Sequence, residues 1–159
     1  MARDTLPITM TGKQMLESEL KNLMQVERPA VIKAIEDARA LGDLSENADY
    51  DAAKERQGFI EARINELQST LAGAEVVEPS KIKSNNIVFG ATIVLLDLDT
   101  EAESTYQIVG VDEADVKKGK ISIISPLARA LIGKKVGDSV EVRNPKGSKE
   151  YEVVDLLFK

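Results

Sequence analysis

The 159-residue chain has no cysteine, no histidine and no tryptophan, and only 4% of it is aromatic. Without cysteine there is neither a disulfide framework nor a thiolate metal site, and a reducing cytoplasm is the simplest compartment. Without histidine the commonest general base near neutral pH and the commonest transition-metal ligand are both missing, which argues against a self-contained hydrolase. Long apolar runs are missing too: the longest, Ile87 to Leu96, falls well short of the roughly 20 residues that cross a bilayer. No apolar signal core opens the chain, so a soluble, cytoplasmic protein with no membrane partner is expected. Positive charge is scarce, with 21 Lys and Arg against 27 Asp and Glu, for a net charge of −6. A module that held DNA by neutralising phosphates would need the opposite balance, so strong autonomous DNA binding is not expected.

What is present divides into two textures. From Lys13 to Ala74 the chain is rich in Ala, Leu, Glu, Lys, Arg and Gln, and its interior breakers are Pro29, Gly42, Gly58 and Gly73; this reads as helix. Tyr50, Ala53, Gln57, Ile60, Ile64, Leu67, Leu71 and Ala74 recur at alternating three- and four-residue spacing, the seam of a coiled coil. A looser seam of Leu16, Leu20, Met24, Val31, Ile35 and Ala38 precedes it, with Glu27 out of pattern and Thr11 to Gln14 as an expected capping box. Pro29 removes a backbone donor and crowds the carbonyl of Gln25, which predicts a kink near residues 25–29 with the helix continuing beyond it. Gly42 ends the first arm, and the chain turns back into an antiparallel hairpin with its tip near residues 42–47. Alanines 34, 38, 48, 52 and 53 near that tip predict a slim far end.

Val76 to Asn86 reads as a linker, which gives an N-terminal finger over 1–75, a linker over 76–86 and a second domain over 87–159. In the last of these, strands are expected at Ala91–Leu98, Ser104–Val111, Ile121–Ile124, Ser139–Arg143 and Glu150–Phe158, with a short helix over Pro126–Ile132. The fold class is α+β.

Charge concentrates at the tip. Glu36, Asp37, Asp43, Glu46, Asp49 and Asp51 stand against Arg39 alone, so residues 36–51 hold five of the six net negative charges. Carboxylate oxygen is the hard donor that magnesium prefers, and phosphate chemistry often uses only one or two carboxylates. Asp43 and Glu46 are spaced for this, but two exposed carboxylates bind one ion weakly, so they would be half a site completed by another protein. The same residues also read as a capping box in which Asp43 caps the second helix and Glu46 reaches back. Leu44 suits either a partner contact or a hydrophobic staple. Arg39, Lys54 and Arg56 suit either RNA phosphate or salt bridges along helix faces.

The stretch from Gly42-Asp43-Leu44-Ser45-Glu46-Asn47 to Ala52-Ala53-Lys54-Glu55-Arg56-Gln57 closely resembles the tip signature of the GreA/GreB transcript-cleavage factors. A second block, from Ile108-Val109-Gly110 through Asp112-Glu113-Ala114-Asp115 to Ser125-Pro126-Leu127-Ala128-Arg129-Ala130-Leu131-Ile132-Gly133, extends the resemblance over nearly the whole chain. Leu44 and Ala52-Ala53 lie nearer the GreA side of the family. The resemblance implies a long helical hairpin followed by a small FKBP-like antiparallel β domain with one short helix. It implies RNA polymerase as partner: the finger enters the secondary channel and meets the 3' end of nascent RNA in a backtracked complex, while the second domain holds the rim. Asp43 and Glu46 match the family's two tip acids, which help the polymerase's own centre to cut the transcript with a shared magnesium, so no autonomous enzymatic activity is expected. Leu44, Ser45 and Asn47 would be tip contacts, Arg39, Lys54 and Arg56 RNA or channel contacts, and Ser125, Pro126, Leu127 and Arg129 a docking surface, although that helix also reads as one packed on the sheet.

Three rivals remain. An inhibitory homologue would plug the channel, but such proteins have altered tips, whereas the Asp43 and Glu46 pair is intact here. A prolyl isomerase would need an aromatic-lined pocket, and the second domain offers only Phe89, Tyr106, Tyr151 and Phe158. A coiled-coil adaptor would use the tip only as a capped turn.

Overall fold

The computed structural model describes residues 6–42 and 47–159. Contacts divide the chain into two compact units, one over residues 13–74 and the other combining 75–159 with the short segment before residue 13.

The first unit is the helical hairpin. Its first arm is helix α1 (Met10–Asn22), a π-helical turn (Leu23–Glu27) and helix α2 (Arg28–Arg39); the second is helix α3 (Ala48–Gly73). The 26 residues of α3 span about 39 Å at ~1.5 Å each. Cross-arm pairs prove the antiparallel course: Asn47 meets Ala38, Arg56 meets Glu27 and Arg63 meets Glu19, so numbers fall along one arm as they rise along the other. Ala53, Ile60, Ile64 and Leu67 are buried from α3 and Leu16, Val31, Ile35 and Ala38 from the first arm. Ile60, Ile64 and Val31 form one cluster with Leu20 and Leu23 against it, and each such side chain stabilises the hairpin by about 1.5–3 kcal/mol.

The predicted kink takes a specific form. Pro29 cannot donate to residue 25, and the turn before it widens until Arg28 N–H reaches the carbonyl of Leu23, five residues back. The extra residue in that turn shifts the phase between the two halves of the arm and corrects the expected seam within it: Leu23 packs inward and Met24 is exposed. The slim-tip expectation also narrows, because only Ala38 and Ala53 of the five alanines are buried and Ala34, Ala48 and Ala52 face outward.

The second unit is a five-stranded sheet in the order β5-β4-β3-β7-β6, built from β3 (Thr92–Asp97), β4 (Glu103–Val109), β5 (Lys120–Ser122), β6 (Ser139–Asn144) and β7 (Gly147–Leu157). Three of the four pairings are antiparallel, as expected; β4 and β5 run parallel, with Gln107 opposite Lys120. The ten residues between β4 and β5, coiled into two short 3-10 turns at Val111–Glu113 and Val116–Lys118, carry the chain back so that it re-enters in the same direction. Helix α4 (Pro126–Leu131) buries Ala128 and Leu131 among Ile87, Ile93, Leu95, Ile108, Ile121, Val140 and Val153.

Two further strands were not expected. β1 (Leu6–Thr9) and β2 (Ala74–Val77) pair with each other, so β2 occupies the start of the expected linker. The capping of α1 also differs from the Thr11 to Gln14 box. Thr9 is the cap: its Oγ1 accepts from Gly12 N–H at 3.0 Å. The reach-back acceptor expected of Gln14 is supplied instead by the carboxylate of Glu113, whose Oε2 accepts from Thr9 N–H at 3.0 Å and from Gly110 N–H at 2.9 Å while Oε1 accepts from the Thr9 hydroxyl. Glu113 is buried, so these donors carry the work of solvating its charge. Gly12 is required by space: a Cβ there would lie 2.0 Å from the Glu113 carboxyl carbon.

Candidate functional site

The first arm ends in a turn in which Leu41 N–H donates to the Ala38 carbonyl at 3.1 Å and Gly42 N–H to that of Arg39 at 3.2 Å. Gly42 has φ +107, the left-handed region that terminates helices, and a Cβ there would meet nothing within 4 Å, so its requirement is conformational. The candidate carboxylates Asp43 and Glu46, with Leu44 and Ser45, lie outside the described residues.

Asn47 corrects the expected cap. It is extended, with φ −88 and ψ 95, and its side chain accepts from Tyr50 N–H at 3.0 Å, so α3 is capped by Asn47 and not by Asp43. The opposite face of the same amide donates from Nδ2 to the carbonyl of Ala38 at 2.6 Å. That carbonyl lies in the last turn of α2 and already accepts from Leu41 N–H, so the Asn47 amide fills its second lone pair. A second bridge lies beside it: the Arg39 guanidinium sits over the Tyr50 ring, 6.0 Å from its centroid, a cation–π contact worth about 0.5–1 kcal/mol at an exposed site.

Glu36, Asp37, Asp49 and Asp51 are exposed around this end. Asp49 and Asp51 stand in the first turn of α3, where its dipole favours negative charge. Among the described residues no three carboxylates converge as a metal cluster. The donor chemistry of Asp43 and Glu46 fits magnesium, which accepts one or two protein carboxylates and completes its shell with water or substrate oxygen.

The basic candidates are partly engaged within the hairpin. Arg56 pairs with Glu27 at 2.5 Å, which explains why a glutamate interrupts the apolar pattern of the first arm. Lys54 donates to the Oε1 of Gln57, the polar member of the seam, at 3.3 Å. Arg39 faces Tyr50. Lower down, Arg63 forks onto Glu19 with two bonds of 2.9 Å and Arg28 onto Glu61 at 2.8 and 2.9 Å. Hydrogen bonding from Arg63 holds the Glu19 carboxyl below its ordinary range against the opposing effect of partial burial, and the same pair raises the guanidinium of Arg63.

The docking candidates belong to the other unit. Ser125 caps α4, accepting from Ala128 N–H at 3.2 Å, and Pro126 fills the first turn. Leu127 packs on the core. Pro126 and Arg129 are exposed, while Ser125 and Leu127 have structural work. Sequence reasoning missed the cross-arm donor of Asn47 and the clasp of Glu113. A helix-capping residue type directly before the apolar seam was the available signal for the first; the second had none, because its partners are far apart in sequence.

Comparison with known proteins places the chain in a family. Residues 6–76 match the model described as transcription elongation factor, N-terminal, and residues 82–157 match transcription elongation factor, GreA/GreB, C-term. The transcription elongation factor GreA of Methylobacterium sp. (strain 4-46) is 57% identical over 98% of both chains. That of Hyphomonas neptunium is 55% identical over 98% of this chain and 99% of its own. The solved GreA factor homolog 1 protein of Thermus thermophilus is 28% identical, covers 96% of this chain and 99% of its own, and superposes with a TM-score of 0.44.

Proposed function

The chain belongs to the GreA/GreB family of transcription elongation factors, and from that premise we propose that it binds RNA polymerase in the cytoplasm and stimulates cleavage of backtracked transcripts. The observation that carries the reading is the place of the tip sequence: residues 42–57 include the reversal of a two-helix hairpin, between the end of α2 at Arg39 and the start of α3 at Ala48. The cap of α3 supports it further. Because Asn47 ends that helix, Asp43 is not needed for the capping that was the competing account of the tip.

The hairpin supplies reach and stiffness. Its seam is apolar, its arms are tied by forked ion pairs, and its end carries exposed carboxylates. Inserted into the secondary channel, it brings Asp43 and Glu46 to the polymerase centre and the RNA 3' end. These two residues would hold magnesium jointly with the polymerase, an ion that, when bound, activates water and stabilises charge on the reacting phosphate. Their carboxylates contribute donors and orient water; the cutting centre is the polymerase's, and the chain has no nuclease activity of its own. Arg39, Lys54 and Arg56 contact RNA or the channel wall by exchanging internal partners, and the exposed Pro126 and Arg129 contribute to docking. Strong DNA binding by the free chain is not part of this reading, since the net charge opposes it.

Asp43→Ala with Glu46→Ala tests the assignment on a stalled, backtracked complex. Retained polymerase binding with lost RNA shortening is expected; normal cleavage by the double variant would refute it. Blocked elongation by the wild-type chain, without shortening, would favour an inhibitory plug.

A further inference from the structure

We propose that Asn47 is a positioning residue: it ties the start of the second arm to the backbone of the first, and so sets the two chain ends between which residues 43–46 are strung. This rests on the reading of Asp43 and Glu46 given above, and it adds a residue that acts through them.

The observation is the double use of one amide. Tyr50 N–H is a donor and must face Oδ1; the Ala38 carbonyl is an acceptor and must face Nδ2. Only one orientation of the side chain satisfies both, so the assignment follows from its partners. Capping alone does not call for asparagine, because aspartate and serine cap helices about as well. The bond to Ala38 does call for it. Aspartate has no N–H to donate and would set a carboxylate against the carbonyl; serine keeps an acceptor for the cap but has a shorter reach. The Arg39 guanidinium over the Tyr50 ring closes a second link in the same place. Neighbouring residues 38 and 39 of one arm thus hold residues 47 and 50 of the other where the two arms end. A catalytic group is only as well placed as the chain that flanks it, and a shift of about 1 Å can lower a rate about a hundredfold.

Asn47→Asp and Asn47→Ser separate the bridge from the cap. Each is compared with the wild-type chain and with the Asp43→Ala, Glu46→Ala double variant in cleavage of a backtracked complex, reading the maximal rate at saturating factor and the concentration giving half of it. Helix content and unfolding midpoint are measured alongside. The expected result is a maximal rate lowered about ten- to hundredfold in both, a half-saturating concentration within about twofold of wild type, and unchanged helix content. Wild-type maximal rates in both variants, with the double variant inactive, would overturn the role of Asn47 and leave the tip assignment standing. A change confined to the half-saturating concentration would also overturn it, since that marks docking. Full activity of the double variant would instead remove the tip assignment itself.

Discussion

The backbone N–H of Thr9 donates to Oε2 of Glu113 at 3.0 Å, a hydrogen bond between residues 104 positions apart. It completes a capping box whose two halves are usually neighbours: Thr9 receives Gly12 N–H, and a carboxylate returns to Thr9 N–H. Here the carboxylate belongs to another part of the chain and also closes its own turn at Gly110.

Glu113→Ala would leave the buried N–H groups of Thr9 and Gly110 without their acceptor, at a cost of about 1–3 kcal/mol each before relaxation. Gly12→Ala keeps every hydrogen-bonding group but drives a methyl into the carboxylate, which costs about 1–3 kcal/mol by overpacking. Chemical denaturation of the two variants checks both, and a wild-type midpoint for Gly12→Ala would contradict the close approach.

Glu19 and Arg63 predict a pH dependence for the hairpin. The folded Glu19 carboxyl titrates below its ordinary value of 4.5, chiefly through hydrogen bonding from Arg63. Its stabilisation is therefore fully present above that value and is lost as pH falls through the lower, folded one. Side-chain exposures of 40% for Glu19 and 33% for Arg63 leave the pair open to solvent screening, which limits the effect to about 1 kcal/mol or less. Wild type and Glu19→Gln should differ in unfolding free energy near pH 7 and converge in acid; a difference that grew on acidification would reverse the sign.

Ser125 and Arg129 separate packing from docking on α4. Ser125→Ala removes the helix cap and should lower stability by about 1 kcal/mol. Arg129→Ala, on an exposed side chain, should change stability by less than about 0.5 kcal/mol and show its effect in polymerase affinity. Denaturation midpoints and a binding titration on the same two variants check this; stability lost with Arg129 and affinity alone lost with Ser125 would exchange their roles.

The hairpin was legible because its signal is periodic and repeated. Ile60, Ile64 and Leu67 recur at the helical spacing, and each recurrence reinforces the others. The strands of the second unit were legible from Val- and Ile-rich runs between turn residues, and their observed bounds differ mainly at the ends; β7 starts at Gly147, earlier than expected, because Asn144 pairs with Gly147 across a two-residue turn. β1 and β2 were not legible. Four residues carry too little pattern, and each becomes a strand only by pairing with the other. The exchange of Leu23 for Met24 escaped because the seam assumed a constant helical pitch, which the widened turn before Pro29 breaks. Asp43 was a sound choice of cap by residue type, as was Asn47; the start of α3 at Ala48 makes Asn47 the cap.

The residues read alone were enough to say which segments bury an apolar face, where the helices break, and that residues 42–57 carry an acidic motif of the GreA/GreB family. These depend on local propensity and short-range periodicity, which neighbouring residues express without help. Folding alone settled that Glu113 completes the cap at Thr9, 104 positions earlier, that Arg56 answers Glu27, that β5 runs parallel to β4, and that Asn47 joins two arms. Each of these is a pairing of polar groups across the chain. A polar group's partner is chosen by what burial and backbone course bring within about 3 Å of it, and that distance exists only once the chain has folded.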